Sequence, residues 1–425
     1  MKIGIIGAGF TGLSAAFYLQ KNGHKVTIFE KDPNPGGLAL GYKEKEWNWT
    51  LEKHYHHWFT NDNHILNLAH EIDFPVIIKR PKTSVFLDGK SYQLDSPLAI
   101  LSFPKLPLLD KLRMSFILAF LKLNPFWRPL EKINAISFLK KTMGEKAFSM
   151  LWEPQLKNKM GKYATEISLV WFWTRIYKRT PSLAYPEGGF LKFANALASK
   201  IRNGGGVINY NSEIINLSDS QTAQITYVKN NKEKTEKFDR IIVTLPSFLF
   251  LKIAPDLPES YKETLVRLRG LGATNMILRL KKHMLEDNTY WLSICEKDAP
   301  VMVVVEHTNL MNKKHFNNEH IVYVGNYPDP HSELFIMDKK NLLKRYDPLL
   351  KKINPDYQKN IISYDVFRAP FAQPIIPTNY SKLIPPFKTP LPHTFLANIE
   401  QVYPWDRGTN YAVELGEKIA KIATS

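Results

Sequence analysis

The first forty residues constrain this chain more than any other stretch. Lys2–Ile6 (KIGII) is a short apolar run that reads as a buried strand. GAGFTG follows, with Gly7, Gly9 and Gly12 in G-x-G-x-x-G spacing, and residues 13–21 then carry a helical pattern that stops near Gly23. Lys25–Phe29 (KVTIF) reads as a second strand, and Glu30 stands at its end. Strand, glycine turn, helix, strand and acid within about 30 residues is the context in which this spacing binds a dinucleotide. Gly7 permits the tight turn, Gly9 lets a pyrophosphate approach backbone N–H groups, and Gly12 lets the helix lie close on the strand. The helix N-terminus adds partial positive charge. Glu30 would accept hydrogen bonds from an adenosine ribose, which argues against a 2′-phosphate there. The competing reading is a glycine-rich turn in an unrelated α/β domain.

After Glu30 the chain runs KDPNPGGLA. The pair Gly36-Gly37 suggests backbone passing close to a second part of a cofactor; a Pro/Gly surface loop would read the same on its own. Composition narrows the remaining options. The chain has 425 residues, 44% hydrophobic and 23% charged, which is globular and long enough for two or three domains. The single cysteine, Cys295, excludes a disulfide scaffold and any zinc site built on several cysteines, and favours a reducing compartment. The net charge of +17 invites anionic partners. The lysines are dispersed and no nucleic-acid module is recognisable, so no nucleic-acid partner is expected. No apolar run reaches the ~20 residues that span a bilayer. Lys2 and the small and apolar residues after it imitate a signal peptide, but Gly4, Gly7, Gly9 and Gly12 would break its helix. We therefore expect no removed segment, and a cytoplasmic protein able to touch the inner membrane face peripherally.

Five segments together resemble the flavin amine oxidase superfamily: amine oxidases, protoporphyrinogen oxidase, phytoene-type desaturases and UDP-galactopyranose mutase. They are IIGAGFTGLSAA with Glu30, GGLA, YPEGGFLKFANALASKI, FDRIIVTLP and YPWDRGTNYAVELGEKIA. More narrowly, KHYHHWF, LWEPQLKNKMG, EHTN, AQPI and YPWDRGTNYA resemble bacterial protoporphyrinogen-oxidase-like oxidoreductases of unassigned substrate. The resemblance implies an α/β fold: a Rossmann-like FAD-binding domain interleaved with a substrate domain of mixed β-sheet, plus a helical region that can face a membrane. The implied division is 1–80, 185–252 and 391–425 for the FAD domain, and 81–184 and 253–390 for the substrate domain.

The resemblance also implies non-covalent FAD. Gly7, Gly9, Gly12, Glu30, Gly36 and Gly37 are the cofactor candidates, joined by their neighbours Phe10, Thr11, Lys31 and Leu38. In relatives the position of Ile214 meets the adenine through its backbone, which would leave Ile215 pointing into the core. Near the other end, Thr394–Asn398 reads as a strand and Ala412–Ile422 as a helix, with the polar turn Asp406–Asn410 between them. Such a turn presents free N–H groups to an anion or to the pyrimidine edge of a flavin, so Asp406 and Asn410 join the candidates. Here Asp406 and Arg407 replace the commoner glycine-acid pattern of the family's second FAD motif. A capped terminal helix is the plainer alternative. No second G-x-G-x-x-G occurs, so a separate NAD(P)H domain is not expected.

The middle of the chain is less specific. Thr83–Gln93 should form a hairpin turning at Asp88-Gly89. Leu108, Leu112, Phe116, Phe120 and Leu121, set among Lys105, Lys111, Arg113, Lys122 and Arg128, suit either an interfacial helix on anionic lipid or a helix buried in its own domain. Trp152, Trp171, Phe172, Trp173, Arg175 and Arg179 could line a pocket for a planar or carboxylated substrate, or be core with a solvated edge. Tyr290, Trp291, Glu306, His307 and Asn309 are placed as residues that could face the flavin from a sheet. His56 and His57, in HYHHW, are the catalytic candidates, as histidines that can move protons near neutral pH or simply bond backbone. Glu52, His54 and His56 on one strand would imitate an iron triad, but consecutive ligands on a strand rarely give that geometry, so no metal is expected.

The implied function is hydride transfer to flavin from a C–H bond next to an amine or on an activated carbon of a small, lipophilic molecule. The alternatives are a mutase-like flavoenzyme on a nucleotide sugar, clamping its diphosphate with Arg175 and Arg179, and a flavin-binding protein without turnover.

Overall fold

The computed structural model describes the whole chain, Met1–Ser425. Its centre is a five-stranded parallel sheet in the order Val207–Asn209, Lys25–Phe29, Lys2–Ile6, Arg240–Val243, Thr394–Leu396. Residues from three distant stretches thus share one sheet. Its strands are near-continuous apolar runs because both faces are covered. On one face lie the helices Phe10–Lys21, Thr409–Ile422, Phe190–Asn203 and Asn63–Glu71. On the other, an antiparallel meander, Glu213–Asp219, Ala223–Lys229 and Lys232–Phe238, presses Ile225 and Phe238 against Gly4. A Cβ on Gly4 would stand 2.8 Å from Ile225 Cδ1, so this layer requires glycine there.

A second, seven-stranded sheet runs in the order Ile361–Pro374, Gly270–Leu280, His320–Asn326, Val303–Glu306, Thr289–Ile294, Lys82–Leu87, Lys90–Gln93. Alternation divides its side chains. Met276, Leu278, Val322 and Val324 pack under the helix Lys339–Ile353, while Ile277, Ile321 and Tyr323 join the main core. The hairpin turns at Asp88 (φ 51°) and Gly89 (φ 73°), the left-handed pair that a two-residue hairpin favours. A helical region that includes Leu108–Leu123, Glu153–Met160 and Leu169–Tyr177 adjoins the second sheet, Glu153–Met160 touching the strand Thr289–Ile294.

Three local expectations change. Ile215 is 43% exposed and not core, because the pairing of Glu213–Asp219 with Ala223–Lys229 slips between Ile214 and Asn216 and the bulge turns Ile215 outward. Leu121 packs inward, unlike Leu108, Leu112, Phe116 and Phe120, which are exposed. The last helix begins at Thr409, three residues before its apolar periodicity becomes legible.

Candidate active site

The glycine turn is as tight as its spacing demands. Gly7 has φ +104°, and a Cβ on Gly12 would lie 2.0 Å from the Gly7 carbonyl oxygen. The opening helix starts at Gly9 with no side-chain cap and no acid in its first turn, so its first N–H groups are free for a ligand. Gly36 N–H donates to the Ala8 carbonyl (2.9 Å), and a Cβ on Gly37 would stand 3.1 Å from Gly9 Cα. The two glycine segments therefore meet backbone to backbone. Leu38 lies just beyond that contact and Lys31 is exposed, whereas Phe10 turns into the core and stacks on Phe193. Thr11 is buried against the closing helix.

Glu30 is buried and accepts from Ala8 N–H (2.7 Å) and Asp32 N–H (3.0 Å). Burial pushes its pKa up and the two N–H donors pull it back. Glu30 carbonyl also accepts from Ser212 N–H (2.9 Å), which brings the strand that carries Ile214 to the same end of the sheet. Glycine turn, Gly36-Gly37, Glu30 and Ile214 are thus assembled at one edge.

The closing helix crosses the opening one there. A Cβ on Gly416 would meet the Thr11 carbonyl oxygen at 2.5 Å, and Ser14 Oγ donates to the Val413 carbonyl (3.1 Å). The closing helix also starts at a glycine, Gly408, with no side-chain cap and no acid in its first turn. The polar side chains beside it are engaged elsewhere. Asn410 Oδ1 accepts from Ile65 N–H (3.1 Å), Thr409 Oγ1 accepts from Trp58 Nε1 (2.8 Å), and Asp406 pairs with Arg175 (2.7 Å). At this end the protein offers a ligand backbone N–H groups; the Asp406 and Asn410 side chains hold the protein together.

Near Leu38 opens a cavity lined also by His54, Tyr55, His56, Asn275, Tyr327 and Arg407. Arg407 donates to Tyr327 Oη (2.5 Å) and Gln373 Oε1 (3.1 Å), and Tyr327 Oη bonds Tyr55 Oη (2.9 Å). Asn275 Nδ2 faces His54 Nδ1 at 2.6 Å, while its Oδ1 is buried with no partner. Tyr55, Asn275, Tyr327 and Arg407 escaped the sequence reading as site residues. Tyr55 and Arg407 sat within quoted motifs, but nothing local marks the other two.

The two catalytic candidates lie at or beside this cavity. His56 Nδ1 contacts the His54 carbonyl (2.6 Å), and His57 Nδ1 contacts Tyr290 Oη (3.2 Å) among the rings of Phe59, Tyr290 and Trp291. They do not titrate near neutral pH. Burial, with the Arg407 charge adding to it, pushes His56 down to about 4; burial, with Arg179 and His56 adding, pushes His57 down to about 3. Both are neutral imidazoles at physiological pH. Glu52, His54 and His56 do not converge either. Glu52 turns to Tyr185 Oη and Phe190 N–H, because the strand that would align them stops at Glu52. Tyr290 and Trp291 pack against His57, but Glu306 lies at the far end of the sheet with His283 and His320, and Asn309 bonds the Thr289 carbonyl.

The residues present fit a flavin adenine dinucleotide. Two glycine-started helices with free N–H groups cross beside a glycine–glycine contact that leaves no room for side chains, and an acid stands where a ribose would lie. Fold and site define an α/β protein built on a Rossmann-type glycine turn, its parallel sheet closed by its own last helix. Comparison with known proteins gives the family. Residues 10–404 match the model of the flavin containing amine oxidoreductases, and the chain belongs to that family. It is 26% identical over 294 residues to coproporphyrinogen III oxidase of Staphylococcus aureus, a match spanning 59% of this chain and 61% of that protein. It is 62% identical over 44 residues to a 4,4'-diapophytoene desaturase of the same species, covering 10% of this chain and 9% of the desaturase. The crystal structure of an oxidoreductase from Methanosarcina mazei superposes with a TM-score of 0.77 at 16% identity over the full length of both chains, a likeness of fold.

Proposed function

We propose that this chain is an FAD-dependent oxidoreductase that holds its flavin non-covalently and removes a hydride from a substrate C–H bond beside an amine or on an activated carbon. The crossing of the two uncapped, glycine-started helices carries the reading, because it gathers unpaired N–H donors from both ends of the chain. Bound FAD supplies the hydride acceptor, and oxygen, a quinone or another carrier takes the electrons onward. The protein's part is to bind, orient and exclude water. Glu30 offers its carboxylate to a ribose, and Tyr55, Asn275 and Tyr327 wall the cavity next to Leu38. His56 and His57, uncharged, can hold a substrate by hydrogen bonds but cannot deliver a proton as imidazolium. The only thiol, Cys295, is buried against Leu151 and Gln155, which supports a non-covalent flavin. Arg175 is held by Asp406, so the arginine pair that a nucleotide-sugar reading needs is not free.

Purified protein should be yellow, and acid precipitation should release all of its flavin as FAD. A colourless protein that takes up no added FAD defeats the proposal.

The same proposal extends to a lipid surface and a lipophilic substrate. No helix is long and apolar enough to cross a membrane. The helix Leu108–Leu123 nevertheless turns only Met114 and Leu121 fully inward and shows Phe116 (72% exposed) and Leu123 (79%) to solvent. Lys111 donates to the Leu101 carbonyl, and Lys122 to those of Tyr177 and Arg179, so cations border the apolar face. An apolar face edged by cations matches an anionic bilayer surface.

A further inference from the structure

Lys159, on the helix Glu153–Met160, is 6% exposed and has no carboxylate or carbonyl in bonding range. Its ammonium lies over the ring of Tyr327, 4.5 Å from the centroid, and 5.8 Å from that of Trp171. Each ring carries a second cation. Arg407 lies over Tyr327 at 4.9 Å, and Arg175 over Trp171 at 4.5 Å. Three cations therefore share two aromatic rings, and the one carboxylate among them, Asp406, is taken by Arg175 at 2.7 Å. Trp171 Nε1, a donor, is also buried without an acceptor. Tyr327 and Arg407 line the cavity that reaches Leu38, so the cluster borders the chamber next to the glycine turn.

An ammonium taken out of water without a counter-charge is costly, and ring faces return only part of that cost. A fold that keeps Lys159 there, with Arg407 lacking a carboxylate on one side and the already paired Arg175 on the other, lacks an anion. Burial first, then the Arg175 and Arg407 charges, hold the Lys159 pKa well below the ordinary lysine range, and an incoming anion would relieve both effects. An alkylammonium would meet the opposite situation: the same cations repel it.

We propose that Lys159, with Arg407, forms an oxyanion-receiving subsite beside the substrate chamber, Arg175 being held by Asp406, and that the substrate of this chain carries a carboxylate or a phosphate and is not an amine cation. The proposal rests on the flavoenzyme reading above and narrows its substrate class. The hydride donor is then the activated-carbon type, and the anionic group fixes it by a charge-assisted contact at Lys159.

The test uses the full-length holoprotein with benzoate, phenyl phosphate and benzylamine as probes, read by flavin difference spectra and by Tm. At least one of the two anions should perturb the flavin saturably and raise Tm, and benzylamine should do neither; which anion binds more tightly identifies carboxylate or phosphate. Lys159→Met should weaken anion binding by about tenfold or more, while Lys159→Arg should stay close to wild type. Should Lys159→Met fail to fold, Asp406→Asn gives a second reading, because removing the one carboxylate should tighten anion binding several-fold. Saturable binding of benzylamine with neither anion binding overturns the proposal, as does a folded Lys159→Met protein that binds anions like wild type or an Asp406→Asn protein that binds them no better. A flavin-replete protein indifferent to both anions defeats the subsite alone. A colourless protein defeats the flavin reading, and its Tm still reports on the anions.

Discussion

Gly37 reaches Gly9 with its backbone: a Cβ added to Gly37 would stand 3.1 Å from Gly9 Cα, and Gly37 itself sits at φ +57°. Two segments on either side of the strand Lys25–Phe29 thereby close one cradle. Gly37→Ala would force a left-handed alanine, at about 1 kcal/mol, and push the two segments apart. We expect Tm of the flavin-free protein to fall by about 1–3 °C and FAD affinity to fall roughly tenfold. Fluorescence titration of the flavin-free protein measures it, and unchanged affinity would show that the two segments serve no common ligand.

The exposed face of the helix Leu108–Leu123 allows binding to be separated from stability. Phe116 and Leu123 are largely in solvent, so Phe116→Glu with Leu123→Glu should leave Tm within about 1 °C. Flotation on vesicles rich in anionic lipid should fall at least several-fold, since apolar contacts are lost and charges of the wrong sign are added. Equal flotation of variant and wild type would remove the lipid proposal and leave the flavin site untouched.

Legibility in the sequence followed the range of the interactions. The turn at Gly7–Gly12 and the hairpin at Asp88-Gly89 are set by local backbone conformation, so spacing alone reveals them. Glu30 was legible because it ends a strand inside the same unit. Asp406 and Asn410 could be placed at a helix start, but their partners, Arg175 and Ile65, lie far along the chain, and no local pattern encodes that pairing. Ile215 was misread because a bulge shifts the period of two by one residue. The neutrality of His56 and His57 depends on burial and on Arg407 and Arg179, which reach them only through tertiary folding. Lys159 looked like any lysine of a basic chain; its isolation comes from Tyr327 and Trp171, supplied by two other segments.

Buried titratable groups predict opposing pH trends. His307, 2% exposed among Tyr185, Phe316 and Tyr323, is pushed by burial from 6.5 down to about 3. Between those values the unfolded chain binds the proton and the native one does not, so His307 makes stability rise with pH up to about 6.5. Glu52, pushed by burial from 4.5 up to about 7, acts the other way: the native chain holds the proton, and stability falls as pH rises through that window. His307→Phe should flatten the acid limb of a stability–pH curve by about one proton, ~1.4 kcal/mol per pH unit. Glu52→Gln should gain on wild type between pH 5 and pH 8. Denaturant titrations across pH measure both, and an unchanged acid limb in His307→Phe refutes the assignment.

Tyr327 does two jobs that substitution can separate. Its hydroxyl accepts from Arg407 and bonds Tyr55, while its ring lies beneath both Lys159 and Arg407. Tyr327→Phe keeps the ring and removes the acceptor, leaving one end of the Arg407 fork short; a charge-assisted bond of this kind contributes about 1.5–3 kcal/mol. Tyr55→Phe removes only a neutral bond, about 0.5–1.5 kcal/mol, so it should be the milder change. Tyr327→Leu removes the ring as well, and two cation–π contacts in a desolvated setting should add about 1–2 kcal/mol to the loss. The expected order of stability is therefore wild type, Tyr55→Phe, Tyr327→Phe, Tyr327→Leu, read from denaturant midpoints. If Tyr327→Leu and Tyr327→Phe proved equally stable, the ring would not be what holds Lys159, and a bound anion or an unseen partner would have to take its place.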